Sequence, residues 1–201
     1  MWDGFEPLLG DRKVVRHGLA AGDPEAAMEG PAVLIGASFG GYVCLDLAAR
    51  RPELVQALVL MDAPLFDHEF SADLESYAEE EERLVEAGEL DSAARLNVDF
   101  WVADAAADVK QQVLEMSREQ LQLEYEPDLP DTIDLTHVRA PTLVLNGARD
   151  HRDFQAIAER LSSGLPDARR ATVPGVQHLP ALEAPEETAA LVVEFLERAG
   201  R

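Results

Sequence analysis

The chain has 201 residues, 47% of them apolar, which suits one ordinary globular domain with a sizeable core. Its 39 acidic and 17 basic side chains leave a formal charge of −22, which argues against nucleic acid or an anionic membrane as partner, because both are polyanions. No apolar run approaches the roughly eighteen residues needed to cross a bilayer, the first residues lack the basic-then-apolar pattern of a secretory signal, and the lone Cys44 can form no intrachain disulfide, so the cytoplasm is the expected location.

Residues 17–30 leave room for about two turns of helix at 1.5 Å per residue. The apolar strand Ala32–Gly36 follows, then Gly36-Ala-Ser38-Phe-Gly40, then Val43–Arg50 with apolar residues at helical spacing. A strand, a sharp Gly-x-Ser-x-Gly turn and a helix in that order make a nucleophile elbow. A serine there sits in a strained backbone, and a side chain at Gly36 or Gly40 is expected to crowd the turn. Ser38 is therefore the candidate nucleophile. Cys44, on the same helix face as Val43, Leu47 and Ala48, reads as a small buried hydrophobe.

A second apolar strand covers Ala57–Met61. Residues 63–137 then carry almost no β signal, and Ser71–Ala87, Leu90–Val102 and Ala105–Glu124 each read as amphipathic helices. Gly88 and Ala103-Asp104 separate them, and Pro127 and Pro130 end the last. Glu79–Glu82 belongs to the first of these helices as a solvated face, and the five histidines show no ligand spacing, so neither a metal nor a cofactor is expected. Further on, the strand Pro141–Gly147 precedes Asp150, the helix Phe154–Leu161 follows, the strand Arg170–Pro174 precedes His178, and Glu186–Arg198 closes as a helix. Strands alternating with helices predict an α/β fold whose mostly parallel sheet is covered on both faces.

From about Pro31 onward the chain resembles the α/β-hydrolase superfamily. The elbow carries the resemblance together with two loops, Gly147-Ala-Arg-Asp150 and Gly175-Val-Gln-His178, each after a strand and in the chain order serine, acid, histidine. The resemblance implies a triad of Ser38, Asp150 and His178, with the Phe39 backbone N–H as an oxyanion donor. It also makes residues 63–137 a helical cap inserted into a core of residues 1–62 and 138–201. Taken singly, Ser38 could be a turn residue, Asp150 a cap for the helix near Asp153, and His178 an ordinary loop histidine. Their joint order after predicted strands favours the triad. Asp62, after the second strand, is the competing acid, because some relatives place theirs there.

In such a triad the imidazole takes the serine proton during attack and returns it to the leaving group, while the carboxylate fixes its tautomer. Relatives that open epoxides or displace halide carry aspartate at the elbow, so Ser38 implies acyl transfer. The expected activity is hydrolysis of a small carboxylic ester or lactone through an acyl-serine. Phe66, Phe70, Phe100, Trp101, Met116 and Tyr125 are the cap side chains that could reach a substrate, though stripes at helical spacing are more often core.

The resemblance also exposes gaps. Met1–Leu9 resembles the family's helix after the oxyanion loop and Arg12–Arg16 the strand after that, so the resemblance implies a sequence that starts after the family's first strands and His-Gly oxyanion loop and that lacks a strand and most of a helix after Arg16. The expectation is an incomplete α/β-hydrolase fold with an exposed edge beside the elbow strand. If Val14-Val15-Arg16 paired with that strand, His17-Gly18 would fall where relatives keep their oxyanion loop. The alternative function is a truncated hydrolase-fold protein, weakly active or non-catalytic.

Overall fold

The computed structural model describes residues 1–18, 23–123 and 128–200. Its sheet has four parallel strands, β1 (Ala32–Ala37), β2 (Val55–Met61), β3 (Thr142–Gly147) and β4 (Ala168–Val173), each hydrogen-bonded to the next in sequence. Parallel neighbours need crossovers, and helices supply them. Helix α1 (Phe39–Arg50) joins β1 to β2; α2 (Ala72–Glu86), α3 (Leu90–Trp101) and α4 (Ala107–Gln120) lie between β2 and β3; α5 (Arg152–Gly164) joins β3 to β4; and the short α6 (Pro180–Glu183) and α7 (Pro185–Ala199) follow.

Alternation along β2 shows why both faces are dry. Leu58 and Leu60 pack with Tyr42, Leu45 and Ala48 of α1 and Ile157 and Leu161 of α5. On the opposite face Ala57, Val59 and Met61 pack with Val192 and Phe195 of α7 and with Phe5 and Leu9 from the N-terminal segment. A strand buried on both faces reads as a continuous apolar run, and for that reason β2 and β3 were conspicuous in the sequence. Helices α3 and α4 share a smaller core in which Val98, Val102, Val109 and Val113 meet Leu179, the residue after His178. The expected helix through Glu124 reaches only Gln120, and Tyr125 lies outside the described residues. No helix among the described residues is long and apolar enough to cross a membrane.

The expected strand Arg12–Arg16 does not form. Among the described residues β1 pairs only with β2, and residues 12–18 carry no regular secondary structure. The segment's cations turn to nearby carboxylates instead of a ladder: Lys13 Nζ lies 2.8 Å from Glu29, and Arg16 pairs with Glu6 at 2.6 Å and also with Asp3. Val15 is left 61% exposed. Pairing of Val14-Val15-Arg16 with the elbow strand is therefore absent, and with it the basis for an oxyanion role of His17-Gly18. Residues 1–9 fold as turns ending in a 3-10 helix, Glu6–Leu9, and among the described residues before β1 a 3-10 turn covers Pro24–Ala27, while residues 19–22 of the expected helical stretch lie outside the described residues.

Candidate active site

Four polar residues sit just beyond the C-terminal ends of the four strands: Ser38 after β1, Asp62 after β2, Asp150 after β3 and His178 after β4. Because the strands are parallel, these ends share one edge of the sheet, where open α/β sheets place their sites. Ser38 has φ 49° and ψ −128°, a left-handed conformation that costs a non-glycine residue about 1–3 kcal/mol. Its N–H donates to Met61 O at 2.8 Å, which ties the turn to β2.

Glycines make room for this turn at two places. A Cβ on Gly36 would lie 2.4 Å from Gly40 O, and one on Gly41 would lie 2.6 Å from the Ala63 Cβ. The expectation for Gly40 is corrected: a Cβ there meets nothing within 4 Å, because its side-chain direction points into open space. The Phe39 N–H opens the first turn of α1, where an N–H has no acceptor within the helix.

The acid and histidine loops are bound to each other. Ala148 N donates to Val173 O at 2.9 Å and Arg149 N to Val176 O at 2.8 Å. Gly147 allows the approach, since a Cβ there would lie 1.8 Å from Gln177 O. His178, 3% exposed, places Nε2 at 3.0 Å from Ser38 Oγ and Nδ1 at 2.9 Å from Asp150 Oδ1. The network assigns the Nδ1 proton to the bond with Asp150 and leaves Nε2 to accept from the serine. Asp150 Oδ1 also accepts the His151 N–H at 2.7 Å. Burial works to raise the Asp150 carboxyl, but the charge and hydrogen bond of His178, a hydrogen bond with Asp62 and the His151 N–H hold it below the ordinary carboxylate value. The helix-capping alternative for Asp150 is not realised, since His151 occupies the N-cap of α5.

Asp62 is buried beside this network, but Asp150 is the carboxylate on His178 Nδ1. Asp62, Asp150 and His178 each offer an atom within 4.8 Å of the others, a three-way grouping that no sequence spacing announced.

The helices after β2 lean over the histidine. The Trp101 ring centroid is 4.2 Å from that of His178, and Trp101 O accepts the His178 N–H at 3.4 Å. Trp101 Nε1 donates to Tyr77 Oη at 2.8 Å, and Arg149 pairs with Asp104 in the turn before α4. Phe154 of α5 packs edge-on to His178 at 4.6 Å. Phe66 lies 6.2 Å from Phe39 and is 42% exposed. Phe100 stacks on Tyr77, Phe70 packs against the main core, and Met116 is half-buried on α4. Of the contacts to His178, Phe154 escaped sequence reading because it sits on the apolar stripe of α5 like any core residue. Burial pushes the Cys44 thiol up to about 12, in keeping with an inert hydrophobe.

Residues 2–191 match the Alpha/beta hydrolase family. The chain is 31% identical over 186 residues to the pimeloyl-[acyl-carrier protein] methyl ester esterase of Aromatoleum aromaticum, an alignment covering 82% of this chain and 74% of that protein. Among solved structures, a hydrolase from Pseudomonas aeruginosa PA01 superposes with a TM-score of 0.69 at 22% identity, covering 97% of this chain and 84% of that one. A thermophilic esterase from Thermogutta terrifontis gives 0.65 at 23%, covering 94% and 76%. At these identities the superpositions speak for the fold alone, while the family match spans nearly the whole sequence. The chain belongs to the alpha/beta hydrolase family.

Proposed function

We propose that the protein is a serine hydrolase that cleaves a small carboxylic ester or lactone through an acyl-Ser38 intermediate. One observation carries the reading: a single buried ring, His178, meets Ser38 Oγ at 3.0 Å and Asp150 at 2.9 Å. As Ser38 Oγ attacks the carbonyl carbon, its proton passes to His178 Nε2, and Asp150 stabilises the imidazolium. The tetrahedral oxyanion points at the Phe39 N–H. Its collapse breaks the bond to the alkoxy oxygen, which leaves with the proton from His178. Water then repeats the sequence on the acyl-serine, giving its proton to His178 and releasing the acid as Ser38 regains a hydrogen.

The ester linkage is supported by the named activity of the Aromatoleum relative, a methyl ester esterase. In this reading residues 63–137 are a cap over a core of residues 1–62 and 138–201, and Trp101 holds the cap against His178. The substrate is a small neutral molecule met in the cytoplasm. No step calls for a cofactor, a metal or a nucleic acid partner.

A second reading, a hydrolase-fold protein with weak or no turnover, is favoured by the outer edge of β1, which pairs with no strand among the described residues, and by residues 12–18, which form no strand there, so that Phe39 is the oxyanion donor that the elbow itself supplies. Absence of one such donor costs about a hundredfold to a thousandfold in rate. The deciding experiment is fluorophosphonate labelling located by peptide mass spectrometry, with hydrolysis of p-nitrophenyl esters of graded length. A stoichiometric adduct on Ser38 that disappears in His178→Ala is expected. A folded, monodisperse protein that takes no label would favour the second reading.

A further inference from the structure

One buried carboxyl has no part in the chemistry above. Asp62 is 2% exposed, and its Oδ1 accepts the Gly147 N–H at 3.1 Å, while its buried Oδ2 has no donor to accept from. The groups that face it are Asp150, engaged by His178 and the His151 N–H, and Glu183, which accepts the Gln177 and Leu179 N–H groups at 3.0 and 2.9 Å. Among the described residues no cation stands against Asp62 to offset them, apart from His178 when protonated, and that charge is taken up by Asp150. Two ionised carboxylates so placed would repel in a site with little water to screen them. A proton on Asp62 Oδ2 ends the repulsion and turns an orphaned acceptor into a donor for Asp150, since the two carboxyls offer oxygens within 4.8 Å of each other.

Other features agree. Burial first, then the Asp150 charge and hydrogen bond, raise the Asp62 carboxyl well above its ordinary range against the lowering effect of the Gly147 N–H, whereas Asp150 is lowered. Two carboxyls driven apart in this way divide the roles of acid and base between them. Asp62 also has φ 46°, a left-handed backbone in which, after glycine, Asp and Asn are tolerated best, so few side chains could serve here.

We propose that Asp62 is a positioning residue that keeps its proton at neutral pH and donates it from Oδ2 to Asp150, fixing the orientation of Asp150 and leaving it the single negative charge of the pair, turned toward His178. The consequence for turnover rests on the serine-hydrolase reading; the shared proton does not.

The test separates the two. Infrared spectra of the Ser38→Ala protein, compared with Ser38→Ala/Asp62→Asn, are expected to show a protonated-carboxyl band that persists at pH 7 and is missing from the double variant. Absence of that band, whether or not the parent cleaves esters, overturns the proposal; should the double variant fold poorly, the pH titration of the band in Ser38→Ala alone decides. In an active parent, Asp62→Asn offers the same donor and the same acceptor for Gly147, so kcat/KM is expected to stay within about threefold with its acidic limb unmoved. Asp62→Ala is expected to lose tenfold or more in kcat with KM little changed. Its acidic limb moves to higher pH, because the undivided Asp150 charge then favours the imidazolium. Equal losses in both variants with unmoved limbs would mark a merely structural residue and overturn the proposal. So would activity lost to EDTA and restored by zinc, because a cation would then stand where the proton is placed.

Discussion

At Ser38 the backbone holds φ 49° because Gly36 lets the chain turn back on itself, whereas the side-chain direction of Gly40 is open. The two glycines of the motif are therefore expected to differ. Gly36→Ala should destabilise by at least about 2 kcal/mol in urea unfolding, and Gly40→Ala should stay within about 1 kcal/mol of the parent. Ser38→Ala and His178→Ala should each cut ester turnover by about a thousandfold or more, since the residues act as one unit, and a smaller loss in either would detach it from the reaction. The two carboxyls shape stability in opposite directions. Asp62 is raised, so the folded chain holds its proton when the unfolded chain has lost it, and its contribution, present below about pH 3.9, fades as pH climbs toward its folded value. Asp62→Asn removes that ionisation, so its stability advantage should grow above about pH 4 by up to ~1.4 kcal/mol per pH unit; a flat difference between pH 4 and 7 would contradict this. Asp150 is lowered, and its contribution is present above about pH 3.9 and lost as pH falls through its folded value.

Between elements, the site depends on loops that are held by one another more than by their own strands. Gly147 ends β3 and lies so close to Gln177 that a methyl group would sit 1.8 Å from a backbone oxygen. Gly147→Ala should therefore cost about 3 kcal/mol and lower activity even at temperatures where the protein stays folded, since the displaced loop carries His178. Trp101 is the corresponding contact from α3, its ring tilted against His178 and hydrogen-bonded to Tyr77 of α2. Truncation to Ala should cost about 3 kcal/mol and loosen the helices over the site. Amide hydrogen exchange should then quicken in α2 and α3 while the strand amides stay protected. The Arg149–Asp104 pair spans the same junction, but both partners are half-exposed, and removing it should cost less than about 1 kcal/mol.

Across the whole molecule, charge and sheet edges pull against each other. Exposed Arg169 and Arg170 on β4 blunt one edge, whereas β1 presents Val33, Leu34 and Ile35, with Val33 37% exposed. A formal charge of −22 keeps copies apart at low salt and strains the fold through self-repulsion. Raising ionic strength from about 0.01 to 0.15 M shortens the Debye length from about 30 to 8 Å, so both repulsions weaken. The expected outcome is a higher Tm together with more association through β1, read by light scattering. Val33→Lys should suppress the association and leave Tm nearly unchanged.

Both β2 and β3, their flanking helices and the elbow were legible in the sequence because burial on both faces writes a continuous apolar run, and a glycine-bracketed serine marks a turn that few other residues can make. Arg12–Arg16, expected as a strand from the resemblance, forms none, because a β-prone Val-Val pair becomes a strand only where a neighbouring strand can take its hydrogen bonds. The chain by itself determined which side chains follow each strand, and parallel strands bring all of those strand ends to one edge of the sheet. Only the tertiary structure decided between Asp150 and Asp62 on the histidine, brought Trp101 and Phe154 against its ring, and placed the two carboxyls together. Those outcomes depend on distances of a few ångströms between loops far apart in sequence, which no local pattern of residues encodes.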